Sequence, residues 1–319
     1  MRSLINAIKN VLKLVISFIL IPFIKYKFLI DSKSLPLTAD HYHVYYHIHC
    51  SYWVALKKFP DLINCPDYND KIQWLKLFDN KEVLIQCVDK VLVRNYVESK
   101  LGEGYLPEIY QVCDGYNDIS LETLPQSFVL KTNHDSGSVF LISDKEKNDW
   151  IAISKGVEAS LKRKFGVWGG EWPYSYVKPK VFAEEYLGLG EGSAPADYKF
   201  HCVNGEVKWL QYICDREGTA KEAITDSSGA ILNLHLSERL LPMTKFNPPG
   251  LFKRMVEIAE ILSEEFKYVR IDLYLIDNQI FVGEMTFFPM YGTYKGSGIV
   301  ELGEMMDFER DKYFPCVKV

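Results

Sequence analysis

The chain has 319 residues, 48% hydrophobic and 25% charged, with a formal net charge of -5. That length suits about two domains with an ample core, and the charge excludes a broadly basic nucleic-acid binder. Seven scattered cysteines (Cys50, Cys65, Cys87, Cys113, Cys202, Cys214 and Cys316) contain no CxxC pair, which excludes a disulfide framework and points to free thiols in a reducing compartment.

Residues 1–30 form an apolar helix. The run LVISFILIPFI (14–24) is uncharged, with Lys9 and Lys13 before it and Lys25 and Lys27 after it. A spanning helix needs about 20 apolar residues, so this run is short, and Pro22 interrupts it. No small-residue cleavage site of the A-x-A kind follows, which argues against a secretory signal. The pattern fits a helix at an anionic membrane surface, with a buried packing helix and a spanning anchor as the alternatives. Residues 41–53 (HYHVYYHIHCSYW) offer His43, His47, His49 and Cys50, but no acid or cysteine pair completes a metal site, so packing is the expectation.

Residues 69–78 (NDKIQWLKLF) predict a capped amphipathic helix with Ile72, Leu75 and Phe78 on one face. Residues 89–101 predict a second helix, started by Asp89 and ended by Gly102 and Gly104. Strand patterns follow at 127–132, 138–143, 181–187 and 197–210, the last with Asn204-Gly205 as a hairpin turn. Residues 251–266 form a helix with one apolar face. The order of elements predicts α+β lobes rather than a repeating βαβ sheet.

Residues 268–287 (YVRIDLYLIDNQIFVGEMTF) alternate as two strands joined at Asp277-Asn278-Gln279. With Ile276 facing Ile280, Asp272 lies opposite Glu284 and Arg270 opposite Thr286. Facing Cβ atoms are about 5 Å apart, and like charges there repel unless a cation or a shared proton relieves them. With oxygen ligands the natural cation is magnesium. In FVLKTNHDSGS (128–138) a strand carrying Lys131 enters a small polar loop, Asp135-Ser136-Gly137-Ser138. Its backbone N–H groups suit phosphates, although a plain hairpin explains it as well. In VFAEEYL, Glu184 or Glu185 faces either a ribose hydroxyl or solvent at a strand edge. Lys199 shares a strand face with Asp197 and His201, which a simple ion pair also explains.

Taken in order, DKIQWLKLFDN, Asp89-Lys90, VLKTNHDSGS, GGEWPY, AEEYL, DYKFHCVNG and VRIDLY…GEMTF resemble the ATP-grasp superfamily and, within it, the TupA-like branch. The resemblance covers residues 70–292. It implies two α+β lobes sandwiching a nucleotide, with boundaries at 1–30 (apolar helix), 31–115 (preceding region), 116–187 (N-terminal lobe) and 188–319 (C-terminal lobe). It implies ATP and Mg²⁺ as cofactors. Lys90 and Lys131 would then contact phosphates under the 135–138 loop, and Glu184, Glu185, Tyr186 and Leu187 would form the adenine and ribose hinge. Lys199 and Arg270 would stabilise the transferred phosphoryl group, and Asp272 and Glu284 would hold magnesium. Glu284-Met285-Thr286 departs from the family's ExN pattern. The implied reaction joins a carboxylate and an amine through an acyl phosphate, on a cell-surface polysaccharide or its precursor. The implied location is cytoplasmic, at the inner membrane face. No nucleic-acid partner is expected. A sugar-nucleotide glycosyltransferase, a kinase-like enzyme and a nucleotide-binding scaffold are the alternatives. For the acceptor, Trp168, residues 169–174, Lys162-Arg163-Lys164, Tyr291 and Lys295 are candidates.

Overall fold

The structure is a computed structural model describing residues 2–187, 195–215 and 219–307, with side chains at residue 11 and from residue 15 onward. Cys316 lies outside the described residues, and the other six cysteines are free thiols. In chain order the first elements are α1 (Arg2–Asp31), α2 (Tyr42–Leu56), α3 (Tyr68–Phe78), α4 (Val83–Val88) and α5 (Val93–Leu101). Then come β1 (Ile109–Cys113), β2 (Phe128–Thr132), β3 (Val139–Ile142), α6 (Trp150–Leu161) and β4 (Val181–Glu184). The remainder is β5 (Asp197–Val203), β6 (Glu206–Cys214), β7 (Lys221–Thr225), β8 (Ile231–Leu232), β9 (Leu241–Pro242), α7 (Phe252–Ser263), β10 (Tyr268–Ile276), β11 (Gln279–Thr286) and α8 (Ile299–Glu304). The chain divides into two compact units, one of residues 1–80, 167–172 and 288–319, the other of 81–166 and 173–287.

In the first unit, Leu20 and Ile24 of α1 join Tyr45 and Ile48 of α2 in one core cluster. The Tyr45 hydroxyl donates to Asp31 at 2.8 Å, and Lys27 pairs with the same carboxylate. Most of the histidine-rich stretch lies in helix α2, where His43 is exposed, His47 half-buried and His49 buried. The His49 ring is buried and stacks on Tyr45 at 3.9 Å, and burial pushes its pKa down to about 3. Among the described residues, no group of three or more His, Cys, Asp or Glu could hold a metal ion.

Helix α3 departs from the amphipathic pattern expected of it. Asp67, not Asn69, caps it, accepting from the Asp70 N–H at 2.9 Å. Nine of its residues are buried, polar ones included. Asn69, Gln73 and Lys76, at i, i+4 and i+7, form a buried polar stripe down one side. Asn69 donates to the Tyr294 carbonyl and accepts from its N–H, at 2.8 and 2.9 Å. Gln73 donates to the carbonyls of Tyr291 and Gly292, both at 2.8 Å. Lys76 donates to Gln73 Oε1, Gly169 O and Tyr291 O at 2.8, 2.7 and 2.9 Å. The segment so gripped is strained, with φ of 50° at Met290 and 56° at Tyr291, a left-handed conformation that costs non-glycine residues about 1–2 kcal/mol each.

The second unit holds two sheets. The smaller has the order β1-β4-β2-β3, antiparallel throughout. The larger runs β11-β10-β5-β6-β7-β8, with β9 beside β7. The expected hairpin at Asn204-Gly205 joins β5 and β6, both turn residues having positive φ. Helix α5 starts at Val93 rather than Asp89, whose carboxylate instead accepts from the N–H groups of Val91 and Leu92. Strand β4 ends at Glu184, so residues 185–187 leave the ladder.

The β10–β11 hairpin corrects the expected turn and keeps the expected pair. Ile276 faces Gln279, not Ile280, across a two-residue turn in which Asp277 and Asn278 both have positive φ, the primed geometry that matches strand twist. A bulge between Asp272 and Leu273 on the register then adds one residue on β11, so that Asp272 does face Glu284 and Arg270 faces Thr286.

Candidate functional site

Residues of both sheets of the second unit line one cleft of about 400 Å³, within the size range of small-molecule sites. The smaller sheet contributes Val129 and Lys131 of β2, Phe182 and Glu184 of β4, and then Glu185, Tyr186 and Leu187. The larger contributes Tyr274 of β10 and residues 282–285 of β11. Lys90, with Val93 and Arg94 of α5, completes the wall, as do Ser136 and Gly137 of the loop after β2. Apolar walls carrying three cations and three carboxylates suit a ligand with a flat apolar end and an anionic end.

The loop is set by Asp135. Its buried carboxylate accepts from the hydroxyls of Thr132, Ser138 and Ser160 and from Arg163 Nη1, the last three at 2.7, 2.7 and 2.8 Å. Burial alone pushes this carboxyl up, but those donors outweigh it and hold its pKa below the ordinary value. Asp135 and Ser138 therefore tie down the base of the loop and do not line the cleft, whereas Ser136 and Gly137 do. Gly137 has φ of 87°, a conformation that favours glycine. Arg163, read from the sequence as a basic acceptor contact, serves this anchor, while Lys162 and Lys164 are exposed.

Lys131 pairs with Glu184, its diagonal neighbour across β2–β4. Glu185 exchanges backbone and side-chain bonds with Glu108, its N–H donating to the Glu108 carbonyl at 2.8 Å. Lys90 donates to the Asp135 carbonyl and lies 3.8 Å from Glu284. Beside Glu284, in the larger sheet, sits a buried charge cluster. Arg270 Nε and Nη2 donate to the two Asp272 oxygens at 2.6 and 2.7 Å, and Nη2 also donates to Thr286 Oγ1 at 3.0 Å. Lys199 binds the same carboxylate and lies 3.2 Å from Asp197. Burial pushes the Asp272 carboxyl up, yet Arg270 and then Lys199 outweigh it, so it stays ionised well below neutral pH. The facing Asp272 and Glu284 are thus relieved here by guanidinium and ammonium groups. Asp272 adjoins the cleft through its cross-strand pairing with Glu284, Lys199 faces Asp272 from β5 and Arg270 faces Thr286; none of the three lines the cleft.

Two contributors were not foreseen. Arg94 lies on the cleft wall, where burial pulls its guanidinium down from its ordinary value and Glu184, then Glu98, pull it back; only its place on α5 after Lys90 signals it. Asn133 is fully buried and cross-links its neighbours: its side-chain amide donates to Asp89 and the Lys178 carbonyl, its Oδ1 accepts from the Lys180 N–H at 2.7 Å, and its carbonyl accepts from the Lys90 N–H at 3.1 Å. It holds the Lys90 turn against the end of β2.

The model of the TupA-like ATPgrasp family matches residues 70–304. The chain belongs to this family. Its fold is accordingly the α+β ATP-grasp fold, with a helical segment in front. No curated protein matches the chain. Similar solved structures include D-alanine–D-alanine ligase from Bacillus anthracis complexed with ATP, 17% identical, with 64% of this chain and 54% of that one covered and a TM-score of 0.38. Another is a RimK domain ATP-grasp protein from Sphaerobacter thermophilus, 12% identical, covering 76% and 78%, TM-score 0.41. The ATP-grasp ligase PsnB, complexed with a minimal precursor, Mg and ADP, is 10% identical, covering 70% and 54%, TM-score 0.35. The TupA-like chain spans between 54% and 60% of the length of the D-alanine–D-alanine ligases it matches.

Magnesium takes one or two carboxylates plus phosphate oxygens. Of the two carboxylates expected to hold it, Glu284 lines the cleft, whereas both oxygens of Asp272 on the paired strand are taken by Arg270 and Lys199. Lys90, Lys131 and Arg94 line the same cleft with positive charge.

Proposed function

We propose that this protein is an ATP- and magnesium-dependent carboxylate–amine ligase acting on a cell-surface polysaccharide or its precursor, at the cytoplasmic face of the membrane. One observation carries the reading: an apolar-walled cleft is lined by Lys90, Lys131 and Arg94 together with Glu284, whose cross-strand partner is Asp272 of the charge cluster. A substrate carboxylate oxygen attacks the γ-phosphorus of ATP as the bond to the β-phosphate breaks, giving an acyl phosphate and ADP. An amine then attacks the acyl carbon. The C–O bond breaks, phosphate leaves with the electron pair, and the nitrogen loses its proton to solvent.

The chain's own groups position and neutralise, as in other phosphoryl transfers. Val129, Phe182, Leu187 and Met285 supply apolar contact for the base, and Glu184 and Glu185 are the acids near a ribose. Lys131 leaves Glu184 for phosphate as the nucleotide enters. Arg270 and Lys199 hold Asp272 ionised beside the transferred group. Asp272 and Glu284 are the carboxylates that would hold magnesium, which would supply further neutralisation of phosphate charge. Thr286 replaces the family's asparagine and bonds Arg270, which favours one magnesium over two.

Calorimetric titration of ATP with magnesium, comparing the native protein with Glu284→Gln, tests the reading. Micromolar binding whose magnesium dependence weakens at least tenfold in Glu284→Gln supports it, as does phosphate release with a uronic acid and an amino acid. Binding of a sugar nucleotide in place of ATP would move the assignment to a glycosyltransferase. ATP binding with no turnover of any acid and amine would leave a nucleotide-binding scaffold.

A further inference from the structure

We propose that α1 lies in the plane of an anionic lipid bilayer, with its outward face in the lipid and its inward face on α2. The outward face is an unbroken apolar stripe. Val11, Val15, Phe18, Pro22, Tyr26 and Leu29 recur at spacings of three and four, and all are exposed. Phe18 is 75% exposed and Leu29 64%. At 1.5 Å per residue the stripe runs about 27 Å, a continuous exposed apolar surface of a kind that soluble proteins keep only for a partner. The opposite face is spoken for: Leu20 and Ile24 are buried, Tyr46 donates to the Ser17 carbonyl, and Asp31 is buried under Tyr45.

Three observations choose a bilayer surface as the occupant. Residues 1–30 carry five basic side chains (Arg2, Lys9, Lys13, Lys25 and Lys27) and no acid, on a chain whose net charge is -5. The first acid, Asp31, is already taken by Lys27 and Tyr45. A second copy packed along α1 would meet a segment whose one acid, Asp31, is already paired with Lys27, whereas anionic headgroups complement a basic segment, at about 1 kcal/mol per cation near the surface. Among the described residues no helix is long and apolar enough to cross a membrane, and the packed inner face with Ser17 and Asp31 could not meet lipid. Tyr26, 68% exposed at the far end of the stripe, and the exposed Lys25 beside it are the residue types that settle at a headgroup boundary. A helix with one face packed on the protein and one apolar face exposed lies in the interface rather than through it.

The inference stands apart from the ligase reading, because it uses no residue of the cleft. The test is co-sedimentation of the full chain with vesicles of phosphatidylcholine, alone or with about a third phosphatidylglycerol. The expected result is binding to the anionic vesicles at least tenfold stronger than to the neutral ones, weakened by added salt. Phe18→Glu with Phe23→Glu, the latter a second exposed aromatic of α1, should lower that binding at least tenfold, with an unchanged circular dichroism spectrum and unchanged ATP titration. Lys25→Glu should lower it severalfold. No difference between the two vesicle types, or an unaffected double variant, overturns the proposal. So does a lipid-free dimer in sedimentation velocity that the double variant dissolves while vesicle binding is absent.

Discussion

Lys76 and Asp272 show how burial and partners decide what a charged side chain does. Burial pulls the Lys76 amine down to about 7, and Glu171 pulls it only partly back. The unfolded chain holds that proton up to about pH 10.4, so between pH 7 and 10 the unfolded state binds more protons and the Lys76 contribution to stability rises with pH. Below pH 7 both states are protonated and its contribution is flat at its lowest. In Lys76→Met this slope is absent. Urea midpoints at pH 7.5 and 9.5 should show the native protein gaining on the variant by about 1 kcal/mol per pH unit. A constant difference would mean the amine is not deprotonated in the fold. Asp272 behaves oppositely, because Arg270 and Lys199 lower its pKa. The stability it lends is present above the ordinary carboxylate range near pH 4 and is lost as pH falls through the lowered value. Asp272→Asn leaves two buried cations without their carboxylate and should lower unfolding free energy by about 3–5 kcal/mol. Glu284→Gln, part exposed and 3.8 Å from Lys90, should lower it by less than about 1 kcal/mol. Equal losses in the two variants would show that the cluster is not what stabilises β10.

At the scale of elements, the bulge in β11 decides the geometry of the site. A Cβ on Gly283 would sit 2.5 Å from the Tyr274 ring, so Gly283→Val must push that ring or straighten the bulge. A loss of about 1–3 kcal/mol is expected, along with weaker magnesium-dependent ATP binding, because straightening turns Glu284 away from Asp272. Unchanged titration would show that the pair need not face for binding. The facing pair was legible in the sequence even though the turn was read one residue too long, because the bulge makes up the missing residue. The strands around Lys131 and the Asn204-Gly205 hairpin were legible for a simpler reason, since alternation and turn chemistry are local. Helix α3 was not legible. Asn69, Gln73 and Lys76 at helical spacing read as a wet face, and nothing nearby in the chain announces the carbonyls at 169 and 291–294 that they meet. Arg94 and Asn133 were missed likewise, since their partners are distant in sequence.

On the scale of the molecule, the two units differ in how the chain builds them. The cleft and the charge cluster lie entirely within residues 81–166 and 173–287. ATP and magnesium at about a hundred times the dissociation constant add about 2.7 kcal/mol to the unit that binds them, which raises a melting transition of that size by roughly 5–10 °C. Calorimetric scans should show this shift in one transition, and a scan unmoved by nucleotide would count against the cleft as its site. The other unit gathers three separated stretches of chain. A fragment of residues 1–80 lacks the carbonyls that Asn69, Gln73 and Lys76 bond, so it should melt without a cooperative transition; a sharp one would show that α1 to α3 fold alone.

The two-residue turn and the one-residue bulge compensate each other along β11. Adding a residue after Asn278 while deleting Gly283 would keep Ile276 opposite the original Gln279 across a three-residue turn and leave Asp272 opposite Glu284 with no bulge. An insertion and a deletion a few codons apart can thus cancel at the site, so relatives are better matched here by their carboxylates than by the length of their turns.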